Sequence, residues 1–177
     1  MRPYFNLIKR GNKMTKNVFE AEKFEPITEL EFKDAKLKAK GTFMFDIAAE
    51  KYAKTDKNGN TTSGYHEILQ GILNRNTLSI VEFWDCALAH VKNRPTKEEI
   101  QDVIQDVIEK EGTTLGLLQG AVQVLSESGF FKEQFKMYWF QFSQGPKMVK
   151  AEEREEMENA VLVLKETYKN LTGKEPY

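Results

Sequence analysis

The feature that most constrains this chain is a dense aromatic segment at residues 130–142. Seven of its thirteen residues are aromatic, although the whole chain has only 12 Phe, 6 Tyr and 2 Trp. Helical spacing puts four of them on one stripe: Phe131, Phe135, Tyr138 and Phe142. Phe130, Met137 and Phe140 point elsewhere, so the helix is apolar nearly all round and must be covered. The segment predicts a central core helix, or one that leaves part of its aromatic surface for another protein.

A second apolar stripe follows the pair Gly145-Pro146. Glycine suits a helix end and proline a first helical position, so the pair predicts that the aromatic helix stops and a last helix occupies residues 146–172. The stripe of that helix is narrow: Met157, Ala160, Val161, Leu164, Tyr168 and Leu171. Such a seam is typical both of coiled coils and of bundles. We expect it to pack on its own domain or on a neighbouring subunit, with the helix projecting from the domain or loosely joined to it.

Residues 29–40 predict a β-hairpin. Their apolar residues occupy even positions in the first half and odd positions in the second. A two-residue turn at Lys33-Asp34 explains this change of parity. It forms two pairs on one apolar face, Phe32 with Ala35 and Leu30 with Leu37. Because neither turn residue adopts φ > 0 at low cost, a longer turn or a helix remains an alternative.

The rest of the chain predicts a run of helices. The first, at residues 43–53, is indicated by apolar residues at helical spacing: Met44, Ile47, Ala48 and Tyr52. Asn76 or Thr77 caps a later helix, and Thr96 with Glu99 forms a capping box for another. We therefore predict a mainly α fold with a small N-terminal β-hairpin, a compact multi-helix domain and a long C-terminal helix. The predicted units are a flexible segment (1–26), the hairpin plus helical core (27–144) and the C-terminal helix (146–172).

Composition excludes several classes of function. A net charge of -1 in 177 residues argues against bulk electrostatic binding to nucleic acid. No apolar run approaches the roughly 20 residues that a membrane-spanning helix needs, so no membrane partner is expected. The single cysteine, Cys86, allows no internal disulfide and is typical of a reducing cytoplasm. We expect one soluble domain.

The sequence contains no convincing catalytic or metal-binding motif. Residues 56–67 superficially resemble a calcium-binding loop, but the glycine lies at the fourth position instead of the sixth. His66 and His90 lack a second histidine or cysteine at ligand spacing. Cys86 lies in an apolar helix, where a buried small hydrophobe is more common than a nucleophile. We expect no enzymatic activity, no cofactor and no metal.

The order of these elements resembles a known family. The hairpin is followed by a helix that opens with Thr42-Phe43-Met44-Phe45, by small helices that include Thr96-Lys97-Glu98-Glu99-Ile100, and by a helix that ends in Leu125-Ser126-Glu127-Ser128-Gly129-Phe130-Phe131. This layout, over residues 27–142, resembles the tail assembly chaperones of long-tailed phages and prophages of Gram-positive bacteria.

The resemblance implies a non-enzymatic helper in the host bacterial cytoplasm. Such a protein would bind the tape measure protein, keep it soluble, recruit tail tube subunits and self-associate. The aromatic segment and the last helix supply the candidate partner-binding residues: Phe131, Phe135, Tyr138, Trp139, Phe142, Met157, Val161, Leu164 and Tyr168. The alternative is a structural connector or helical interaction module that is retained in the phage particle.

Overall fold

A computed structural model describes residues 22–33 and 35–176 and confirms the predicted fold class. Two short antiparallel pairs are formed by β1 (Glu29–Phe32) with β2 (Ala35–Lys38) and β3 (Lys54–Thr55) with β4 (Thr61–Thr62). The helices are α1 (Phe43–Ala49), α2 (Gly64–Leu73), α3 (Thr77–Ala87), α4 (Lys97–Glu111), α5 (Leu115–Glu127), α6 (Lys132–Met148) and α7 (Ala151–Thr172). A 3₁₀ turn, Glu50–Tyr52, follows α1 and completes the predicted first helix.

The hairpin has the predicted register, with Leu30 opposite Leu37 and Phe32 opposite Ala35. The helical alternative is therefore wrong. Lys33 adopts φ 51°, a left-handed conformation that lysine rarely takes, while Asp34 lies outside the described residues. Leu30 is buried, and β1 contacts α4, so the apolar face of the hairpin is attached to the helical body.

Local capping signals are confirmed at two helices. The Thr96 side chain accepts a hydrogen bond from the Glu99 amide at 3.2 Å, and the Glu99 carboxylate accepts one from the Thr96 amide at 2.9 Å. The Asn76 side chain accepts from the Leu78 amide at 2.9 Å at the start of α3. These contacts pair amides that have no partner within the helix.

The aromatic segment is mainly core. Phe131 is fully buried, and its ring lies 5.0 Å from that of Phe45 and 4.7 Å from that of Tyr65. The Tyr65 hydroxyl donates to the carbonyl of Leu125 at 2.8 Å. Phe131 therefore joins α1, α2 and the start of α6, and Tyr65 extends the cluster to α5.

The predicted boundary at Gly145-Pro146 is wrong. Pro146 lies inside α6, which continues to Met148, and α7 begins at Ala151 instead of residue 146. Proline normally disfavours the helical conformation of the preceding residue partly by contact with its Cβ. Gly145 has no Cβ, so this contact is absent and the helix can continue for one more turn.

The last helix does not project from the domain. Tyr168 and Leu171 of α7 are buried, and the ring of Tyr168 lies 5.6 Å from that of Phe135 and 5.8 Å from that of Trp139. α7 contacts α2, α5 and α6. The expectation of a loosely joined helix is wrong because its narrow stripe packs on its own domain.

The segment before the hairpin is also attached, so the predicted flexible segment 1–26 does not extend to residue 26. The buried Gln119 of α5 accepts from the Glu25 amide at 2.9 Å and donates to the carbonyls of Lys23 and Leu171 at 3.0 and 3.1 Å. The Ile27 amide donates to a carbonyl of α5 at 2.8 Å. One amide side chain thus ties residues 23–25 and the end of α7 to α5. Residues 1–21 lie outside the described part of the chain.

Gly120 is expected to be essential for this attachment. A Cβ at that position would lie 1.8 Å from the Ile27 carbonyl oxygen, which is impossible without displacement of residues 22–28. We expect Gly120→Ala to lower the free energy of unfolding by about 1–3 kcal/mol through overpacking. Gly129→Ala is the control, since a Cβ there meets nothing within 4 Å. Equal urea midpoints for the two variants would contradict the close approach.

Tyr168 and Leu162 provide a matched test of the position of α7. Tyr168 is buried, so Tyr168→Ala should cost about 3–5 kcal/mol, as is usual for a large core aromatic. Leu162 is 58% exposed on the same helix, so Leu162→Ala should change stability by no more than about 0.5 kcal/mol. Thermal and urea unfolding measure both values. If both variants unfolded like the unsubstituted chain, α7 would not belong to the core.

Candidate interaction surface

Most of the predicted partner-binding residues are inside the fold. Seven are buried: Phe131, Phe135, Tyr138, Trp139, Val161, Leu164 and Tyr168. Phe142 and Met157 are half-buried, and the Phe142 ring stacks on that of Tyr138 at 6.0 Å. These side chains hold α6 to α7 and to the helical body. Their role in partner binding stays a prediction, but the folded chain covers most of the surface that they would offer.

One apolar surface that the fold leaves open is on α1. Phe43, Met44 and Ile47 are 76%, 48% and 60% exposed. The Phe43 ring lies 5.0 Å from that of the half-buried Phe130, in an edge-to-face arrangement. We call these four residues the α1 patch. Contiguous exposed apolar residues of this kind often mark interaction sites.

The orientation of α1 explains why the patch faces solvent. The Thr42 hydroxyl accepts from the Phe45 amide at 3.3 Å and begins the helix, while Phe45 and Ala49 form its buried stripe. Phe43 and Ile47, four residues apart, therefore share the opposite side. The spacing of Met44 and Ile47 correctly predicts the helix, but both side chains are exposed instead of buried. The i, i+4 spacing of Phe43 and Ile47 places them on one face of the helix but does not show whether that face is covered.

A second apolar surface, the hairpin groove, lies between the hairpin tip and α4. It has a volume of about 440 Å³. Its apolar lining includes four side chains that are half-buried: Phe32, Leu37, Val91 and Val103. Its charged lining comprises Lys33, Lys92, Glu99 and Asp102. Lys33 Nζ lies 3.8 Å from Glu99 Oε1, and neither Lys92 nor Asp102 forms a salt bridge within the described residues.

A third surface, the α6–α7 groove, has a volume of about 360 Å³ and is lined by Trp139, Phe140, Ser143, Pro176 and two lysines, Lys136 and Lys165. Phe140 is 61% exposed. Within the described part of the chain, the buried Trp139 Nε1 and Tyr138 hydroxyl have no hydrogen-bond partner. Burial raises the pKa of Tyr138 to about 12, so its hydroxyl remains protonated at neutral pH. Of the predicted partner-binding residues, Trp139 lines the α6–α7 groove.

The buried ionisable groups stabilise the fold locally. Burial alone would raise the pKa of Asp85, but hydrogen bonds from Lys51 and Tyr52 and the charge of Arg94 hold it below its ordinary value. The Tyr52 hydroxyl donates to Asp85 Oδ2 at 2.8 Å, and Arg94 also donates to the Asp85 carbonyl at 2.6 Å. These contacts connect α3 with the turn after α1 and with the segment before α4.

Burial favours the uncharged forms of Cys86 and His66. Burial raises the pKa of Cys86 to about 12, which keeps its thiol protonated and weakly nucleophilic. Burial lowers the pKa of His66, whose ring lies between those of Tyr65 and Tyr138. Across residues 22–33 and 35–176, no cluster of three His, Cys, Asp or Glu side chains could hold a metal ion. No helix in that part of the chain is both long and apolar enough to span a membrane.

Comparison with known proteins points to one family. A family model described as phage tail assembly chaperone protein, TAC, matches residues 29–138, which is more than half of the chain. The matched segment contains the α1 patch and the hairpin groove, while most of the α6–α7 groove follows it. No curated protein and no solved structure matches the chain. The chain therefore belongs to the phage tail assembly chaperone family.

Proposed function

We propose that the protein is a non-enzymatic chaperone that binds the tape measure protein in the host bacterial cytoplasm. It keeps that protein soluble and recruits tail tube subunits to it. Family membership supports the general role. The observation that supports tape measure binding is the exposure of the α1 patch. Its Phe43 is 76% exposed and lies within the segment that matches the family.

The energetics of the α1 patch indicate how such binding would work. Full burial of a large apolar side chain contributes about 1.5–3 kcal/mol, so three exposed side chains supply roughly 5–9 kcal/mol at most. Association itself costs about 4–15 kcal/mol. The patch alone would therefore bind weakly. Additional contacts in the grooves, or several self-associated copies acting on one long tape measure chain, would raise the overall affinity.

The α1 patch can be tested without disturbing the core. We expect the double variant Phe43→Ser and Ile47→Ser to capture co-expressed tape measure protein about tenfold less well or worse, because two apolar contacts are lost. Leu78→Ser is the control, since Leu78 is 65% exposed on another helix. Pull-down followed by quantitative mass spectrometry measures capture, and circular dichroism checks the fold. Full capture by the folded double variant would show that the α1 patch is not the binding surface.

The composition of the particle distinguishes a chaperone from a connector. A chaperone acts during assembly and is absent from the finished tail, whereas a connector is retained at a fixed copy number. We expect mass spectrometry of purified particles to detect the tape measure and tube proteins but not this chain. Its presence at a constant ratio to another tail protein would favour the connector.

A further inference from the structure

The hairpin groove combines an apolar floor with charges of opposite sign. Its acidic groups, Glu99 and Asp102, come from one helix, α4. Its basic groups come from the hairpin tip, Lys33, and from the segment between α3 and α4, Lys92. Because Lys92 and Asp102 form no salt bridge within the described residues, both remain available to charged groups of a bound partner.

We propose that the hairpin groove binds one amphipathic helical segment of the tape measure protein, with acidic side chains against the lysines and basic side chains along α4. The assignment rests on the proposed function and adds the chemistry of the bound segment. The apolar stripe of that helix would contact Phe32, Leu37 and Val103.

The lining favours a helix over an added β-strand. The residues that face the groove, Phe32, Ala35 and Leu37, belong to one face of the hairpin, so the groove presents side chains instead of a strand edge. Lys36 and Lys38 are exposed on β2, and lysines on edge strands disfavour pairing with another strand. A row of apolar side chains is the feature that helix-in-groove recognition uses.

Two residues that line the groove have an uncommon backbone conformation with positive φ. Lys33 and Asn93, two of the three non-glycine residues with positive φ in the described part of the chain, both line this groove. Asparagine tolerates this conformation, but glycine would suit the turn better than lysine. Unfavourable backbone conformations persist where the surrounding structure enforces them, and they cluster at functional sites. In the proposed complex, Lys33 supplies positive charge at the hairpin end of the groove.

The variant Lys33→Gly separates binding from stability. The probe is a set of overlapping 25-residue peptides from the tape measure protein of the same phage, with binding measured by fluorescence anisotropy. We expect the variant to bind the best peptide at least fivefold more weakly while its melting temperature stays equal or rises. Unchanged peptide affinity in the folded variant would overturn the role of Lys33.

Charge reversal tests the orientation of the bound helix. We expect Lys92→Glu and Asp102→Lys each to weaken binding at least fivefold, and the double variant to prefer a synthetic peptide whose acidic and basic flanks are exchanged. Lys57→Glu, in the exposed loop between β3 and β4, makes the same charge change and should bind like the unsubstituted chain. Equal binding by all variants would overturn the groove assignment.

Three further outcomes show which part of the proposal fails. If the unsubstituted chain captures full-length tape measure protein but no peptide binds in the groove, the groove assignment fails and the proposed function stands. If the unsubstituted chain captures neither the full-length tape measure protein nor any peptide, both the groove assignment and the proposed function fail. If Lys92→Glu dissociates an oligomer on a sizing column and leaves peptide binding unchanged, the groove holds a second copy of this chain and the proposal is wrong.

Discussion

The burial of Phe131 is the constraint on which much of the structure depends. Its ring packs between Phe45 of α1 and Tyr65 of α2, and it approaches Gly41 so closely that a Cβ there would lie 2.7 Å from the ring. Because Phe45 is held inward by this contact, the residues on the opposite side of the short helix α1 point away from Phe131. The exposure of Phe43 and Ile47 therefore follows from the same packing that builds the core.

The packing of α6 against α7 likewise leaves apolar residues exposed on the outer sides of these helices. Phe135, Trp139 and Tyr168 form an aromatic cluster between these helices, which leaves Phe140 and Leu162 exposed on their outer sides. The family match ends at residue 138, before most of this surface. The apolar surfaces thus divide into one group that lies in the matched segment and one that follows it.

Local signals made part of the fold predictable. The hairpin register follows from side-chain alternation, and the Thr96 capping box is encoded by two residues three positions apart. The docking of α7 was not predictable in this way, because its stripe fits a subunit interface as well as its own domain. The boundary predicted at Gly145-Pro146 was wrong, and the absence of a Cβ at Gly145 removes one of the contacts that normally end a helix before proline. The candidate surface was missed because periodicity identifies an apolar stripe such as that of Tyr168 but does not show what covers it.

The position of the hairpin groove links partner binding to the stability of the hairpin. A two-stranded hairpin is marginally stable alone, and here β1 and β2 rely on Leu30 and on contact with α4. A segment seated between the hairpin and α4 would contact both and would stabilise the arrangement by mass action. A partner on the α1 patch would instead contact a helix already fixed by Phe45. Occupation of the groove should therefore protect the amides of β1 and β2 from exchange more than occupation of the patch would.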